Sequence, residues 1–319
     1  ADEKTYPGFT LDKDIEGTIL SGTIAGDGSL VLKLYYARNS YQVTYEYTGT
    51  VPTGASTLPT GATYKYGTDV TVAQKATAPG YTFDGWSKSG TFQMPAEDVT
   101  ITGKFVANTN TAYKVEHYLQ NLDNDEYTLH ETETLAGTTG ETATAEEKTY
   151  DGFTLNEEVA GTVKSGTIAG DGSLVLRLYY TRNAYKVTYA YTGMTPEGAS
   201  ALPAEATYKY GAPVSIAEAA TAPGYTFSGW SRTDDFAMPN EDVTITGSFT
   251  ANGDTEYKVE HYLQNLDGKG YTLADTEAPL TGETGTTATA NPKTYEGFTF
   301  DSSVEGTVQS VSIAGDGSL

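Results

Sequence analysis

The 319-residue chain has no cysteine, only three histidines and two tryptophans, and 19 Lys and Arg against 42 Asp and Glu. The missing cysteine excludes disulfide frameworks, thiolate metal sites and cysteine nucleophiles. The shortage of basic residues leaves a formal net charge of -23, which argues against nucleic acid or an anionic membrane surface as partner, because both are polyanions. No apolar run is long enough to span a bilayer, so no membrane insertion is expected. The opening ADEKTYPGFT has neither a basic n-region nor an apolar h-region and does not read as a signal peptide. GxSxG, HExxH, P-loop and GxGxxG motifs are absent. The expectation is a chain without catalytic residues and without a cofactor.

What is abundant is repetition. KTYPGFT at Lys4 returns as KTYDGFT at Lys148 and KTYEGFT at Lys293, and GDGSL stands at 26–30, 170–174 and 315–319. GYTFDGW at 80–86 returns as GYTFSGW at 224–230, and YKVEHYLQNLD at Tyr113 returns at Tyr257. A unit of this length is whole domains rather than a solenoid repeat. It divides into two modules, giving A1 (1–38, partial), B1 (41–107), A2 (113–182), B2 (185–251) and A3 (257–319, stopping before its last strand). The links between them are only a few residues long, beginning at Asn39, Asn108, Asn183 and Asn252. Such links predict a semi-rigid rod. A1 lacks the YKVEHYLQ segment and A3 lacks the strand written VLKLYY or VLRLYY, so the chain reads as a window on a longer array. It is expected to be monomeric, with head-to-tail strand complementation as an option.

Alternation of period two dominates. Tyr185, Val187, Tyr189 and Tyr191 form one face of a half-buried strand, and Tyr41, Val43, Tyr45 and Tyr47 repeat it. In module A, Leu174, Leu176, Leu178 and Tyr180 share a face opposite Arg177 and Tyr179. GDGSL and APGY read as turns. Helix is scarce: 72–78 and 216–222 are expected to form one or two turns before Pro79 and Pro223. Modules this small need their aromatic residues for a core.

Candidate sites were weighed in the same terms. His117 and His261 are equivalent and in phase with the core face, so they read as structural; His130 aligns with Ala274 and is no module feature. Asp123, Asp125 and Glu126 pose a solvated face or a weak Ca²⁺ site, without the full loop spacing. Trp86 and Trp230 read as core anchors, with sugar stacking as the alternative. In the Tyr35-Tyr36 and Tyr179-Tyr180 pairs one ring of each faces outward. Tyr118, Tyr179, Tyr262 and Tyr35 are therefore the candidate contacts for glycan or protein.

Module A, with YKVEHYLQN, KTYDGFTL and LVLRLYY, resembles the mucin-binding-protein (MucBP-type) repeat. Module B, with YKVTYAYTG, YKYG, APGYTFSGW and MPNEDVTITGSF, resembles the Listeria–Bacteroides or internalin B-type repeat. The resemblance implies tandem β-grasp, ubiquitin-like modules, mainly β, in an elongated rod. It further implies an extracellular, cell-wall-attached surface protein of Gram-positive bacteria. The expected function is a stalk that projects a head; the alternative is multivalent binding of host mucin glycans or a host surface protein.

Overall fold

The computed structural model describes residues 1–319 as 24 strands without a helix. The chain packs as two units. One comprises Ala1–Tyr118, Thr128–Lys148 and Leu155–Tyr179; the other comprises Leu119–Tyr127, Thr149–Thr154 and Tyr180–Leu319.

In the first unit, B1 forms a four-stranded sheet in the order Ala62–Lys65, Ser40–Tyr47, Val99–Ala107, Tyr81–Trp86. The central pair is parallel, with Val43 opposite Val99, and both outer pairs are antiparallel. Two runs rich in Val, Thr, Tyr and Ile meet here, residue types that fit a pleated, half-buried surface. Their alternate side chains give a core of Val43, Val70, Met94, Val99 and Ile101. A bulge between Phe83 and Trp86 re-aims the indole. Trp86 then packs edge-on to Tyr45 and stacks on Tyr47. A1 contributes a two-stranded ladder of Phe9–Leu11 with Tyr36–Arg38.

In the second unit, B2 repeats this plan around Val187, Val214, Trp230, Met238, Val243 and Ile245, with Val187 opposite Val243 in its parallel pair. A3 forms two-stranded sheets only: Thr255–Gln264 with Tyr271–Gly282, and Thr287–Thr289 with Ser310–Ser312. The A2 sheet runs in the order Tyr127–Gly137, Thr111–Gln120, Val175–Arg182, Phe153–Leu155. Leu176, Leu178 and Tyr180 are fully buried in it.

The expected helical turns at 72–78 and 216–222 are not there; both segments are irregular and extended. Their backbone groups are taken by distant side chains. Ala73 N–H donates to the Tyr45 hydroxyl at 2.9 Å, and the Trp86 indole N–H donates to Gln74 C=O at 2.9 Å. Ser56 N–H donates to Thr77 C=O at 2.8 Å. B2 repeats the arrangement with Tyr189 on Ala217, Trp230 on Glu218 and Ser200 on Thr221. Long-range polar contacts outweigh the modest helix preference of alanine-rich segments.

Candidate functional site

Two features stand above the background of turns and strands: an aromatic ledge on module A and a recurring clasp at the module junctions.

The ledge is built by neighbouring strands of A2. Tyr118 and Tyr179 stack with ring centroids 4.8 Å apart and planes 18° from parallel. Both rings are half-buried. The Tyr118 hydroxyl donates to Glu116 at 2.9 Å, and the Arg177 Nε–H donates to the same carboxylate oxygen at 3.1 Å. Burial, and then the Glu116 carboxylate, push the Tyr118 hydroxyl above its ordinary pKa. In A3 the equivalent Tyr262 is 52% exposed and donates to Glu260 at 2.7 Å. That hydrogen bond first, and burial second, raise its pKa. Lys258 and Tyr262 together hold Glu260 below the usual carboxylate range. Tyr35 in A1 is 42% exposed. Of the four tyrosines, the structure brings Tyr118 and Tyr179 together and leaves Tyr35 and Tyr262 as single rings. A flat aromatic pair beside a carboxylate and a guanidinium can stack on a sugar face and hold its hydroxyls. With Glu116 already engaged by Tyr118 and Arg177, the arrangement offers contact rather than bond-making.

Other predicted positions have structural partners. His117 is fully buried with Glu133 at 3.6 Å, and Glu133 also pairs with Lys148. His261, with its side chain 11% exposed, meets Glu277 at 2.8 Å. Asp125 accepts from Lys209 at 2.5 Å and Gln120 at 3.1 Å. No group of three or more His, Asp or Glu side chains converges as a metal site would. Trp230 is buried, and Trp86 packs against its core.

The junctions form the feature that sequence reasoning missed. One asparagine stands at each and is bonded to both modules. Asn39 N–H donates to Gly8 C=O at 2.8 Å, and Tyr66 N–H donates to Asn39 C=O at 2.9 Å. Its side-chain oxygen accepts from the Thr10 hydroxyl at 2.7 Å. Asn108 repeats this with Gly80, Thr139 and Thr82; Asn183 with Gly152, Tyr210 and Thr154; Asn252 with Gly224, Thr284 and Thr226. Glycine makes the close approach possible. A Cβ on Gly80 would lie 2.3 Å from the Gly170 Cα, and one on Gly224 would lie 2.4 Å from the Gly315 Cα. Where B meets A, a buried hydroxyl pair, Thr111 with Thr139 at 2.6 Å, is repeated by Thr255 with Thr284. The recurrence of Asn at each link was the available signal; its partners lie dozens of residues away.

Comparison with known proteins agrees with the repeat organisation. Residues 41–111 match the Listeria–Bacteroides repeat domain, and residues 189–253 match the divergent InlB B-repeat domain. Both stretches fall on the B modules, and both families are repeat domains rather than enzyme families. Among curated proteins, none matches. Among solved structures, SHIRT (Streptococcal High Identity Repeats in Tandem) domains 3–4 from a cell surface protein align at 14% identity. That alignment covers 66% of this chain and 96% of theirs, with a TM-score of 0.18.

Proposed function

We propose that this chain is a stiffened spacer segment of a bacterial surface protein, extracellular and anchored to the cell wall. It holds a functional head away from the cell. The observation that carries this reading is the asparagine clasp, made with the same partners at four junctions. A link whose residues are hydrogen-bonded to both neighbours cannot act as a random coil. Repetition supplies reach, and the clasp supplies stiffness. The modules are read as β-grasp in type, supported by the parallel first and last strands at the centre of the B sheets. The A modules are read as MucBP-type repeats.

Small-angle scattering, extrapolated to zero concentration, tests the proposal. A compact chain of this length would have a radius of gyration of about 20 Å. Five modules placed end to end, with strands of about 25 Å, predict roughly twice that. A value near the compact figure rules out the spacer. The paired substitution Gly80→Val, Gly224→Val is expected to broaden the distance distribution without unfolding the B cores.

A second reading rests on the Tyr118–Tyr179 stack: the A modules hold host mucin glycans weakly and gain through avidity. Saturable binding of the full chain to immobilised mucin, lost in Tyr118→Ala, Tyr179→Ala, would establish it. Absence of binding on a multivalent bead would leave the spacer alone.

A further inference from the structure

The three A modules carry one sequence in three degrees of completion. In A2 the strand Val175–Arg182 lies between Thr111–Gln120 and Phe153–Leu155. In A3 no strand takes that place. A groove of about 970 Å³ opens there, lined by Val259, His261, Tyr295, Phe298, Phe300 and Val311 among others. Phe300 is 50% exposed, whereas its A2 equivalent Leu155 is half-buried. The Tyr295 hydroxyl is buried against the groove with no hydrogen-bond partner. The mouth of the groove is already set: Lys258 N–H donates to Leu319 C=O at 2.9 Å, as Lys114 N–H donates to Leu174 C=O at 3.0 Å in A2.

A1 shows the opposite defect. Its VLKLYYAR, residues 31–38, differs from the VLRLYYTR of A2 at two positions. Only Tyr36–Arg38 of it lies in a ladder, paired with Phe9–Leu11. Val31 and Tyr35 stand exposed.

We propose that Val31–Arg38 of a second copy enters the A3 groove and completes its sheet, joining chains head to tail. A2 supplies the template for each contact. Leu32, Leu34 and Tyr36 would take the places of Leu176, Leu178 and Tyr180, which are fully buried in A2. Lys33 would face Glu260 as Arg177 faces Glu116. Tyr35 would stack on Tyr262 as Tyr179 stacks on Tyr118, so two single exposed rings become one ledge. Tyr36 would meet Tyr295 as Tyr180 meets Tyr150, whose rings are 4.9 Å apart. The donor gives up a three-residue ladder and gains a neighbour on each side. The basic Lys33 and Arg38 enter an acidic module. Because donor and groove are different surfaces, the contact is heterologous and builds open chains rather than closed dimers.

Sedimentation velocity of the full chain over a concentration series tests this. Dimers and longer species are expected to grow with concentration. Leu32→Glu, Leu34→Glu disables the donor, and Val259→Glu disables the groove. Each is expected to raise the dissociation constant at least a hundredfold, since buried leucines are lost or a charge is placed in their seat. Mixing the two variants is expected to restore a 1:1 heterodimer that grows no further, because one keeps the groove and the other keeps the donor. Wild-type chain that stays monomeric, association that survives in both variants, or a mixture that stays monomeric would each overturn the proposal.

Discussion

A2 and A3 share their opening strand almost letter for letter, YKVEHYLQNLD in both, yet the two modules bury it differently. His117 is inaccessible where His261 is 11% exposed. Val115 is fully buried where Val259 lines an open groove. Tyr118 is half-covered by a second ring where Tyr262 stands alone. The difference comes from one strand, Val175–Arg182, which supplies three fully buried side chains to A2. Burial is therefore a property of the completed sheet and not of the strand that carries the residues.

The comparison can be broken at its centre. Leu178→Ala removes a fully buried side chain and is expected to lower the local opening free energy of A2 by about 2–5 kcal/mol. Leu34→Ala, the equivalent change in half-buried A1, is expected to cost less than half as much in the monomer. Native-state hydrogen exchange of the strand amides gives both values, and equal costs would show that the sheet does not decide burial.

A smaller effect is expected at the junctions flanking the two modules. Asn183→Ala and Asn252→Ala each delete an oxygen that accepts from a threonine hydroxyl, Thr154 at 2.6 Å and Thr226 at 2.7 Å. The backbone bonds on both sides remain. A loss of about 1 kcal/mol is expected, read as faster exchange at Tyr210 and Thr284 respectively. No change at either amide would remove the side chain from the clasp.

The smallest effect is electrostatic. Lys148 beside Glu133, and His261 with Lys293 beside Glu277, hold these carboxyls below their ordinary value of 4.5. A depressed carboxyl stabilises the fold above its unfolded pKa, and that contribution disappears as pH falls through the folded value. Lys148→Gln should therefore weaken A2 slightly at pH 7, with the deficit shrinking as pH falls below about 4.5. Exchange or proteolysis profiles showing a constant deficit from neutral to acid pH would contradict the pairing.

Much of the fold was legible because strand periodicity is local. The Tyr41, Val43, Tyr45, Tyr47 alternation puts Val43 in a core, and its B2 copy does the same with Val187. The two alanine-rich segments were misread because their backbone groups are captured from 28 residues away, by Tyr45 on Ala73 and Tyr189 on Ala217. No short-range pattern reveals such a capture. Tyr179 was placed opposite the Leu176 and Leu178 face, and it does form the ledge. That it meets Tyr118 depends on which strand lies beside it. The junction asparagines were visible as link residues, but Gly80 against Gly170 is a contact between modules. Read locally, both glycines are only turn residues.

The central claim is that the links are part of the folded structure, and amide hydrogen exchange at the junctions tests it most directly. The account predicts that Asn39, Asn108, Asn183 and Asn252, with their acceptor-side partners Tyr66, Thr139, Tyr210 and Thr284, exchange about as slowly as the strands on either side. Exchange at the rate of an open loop, with the flanking strands still protected, would make the modules beads on a flexible string and contradict the account.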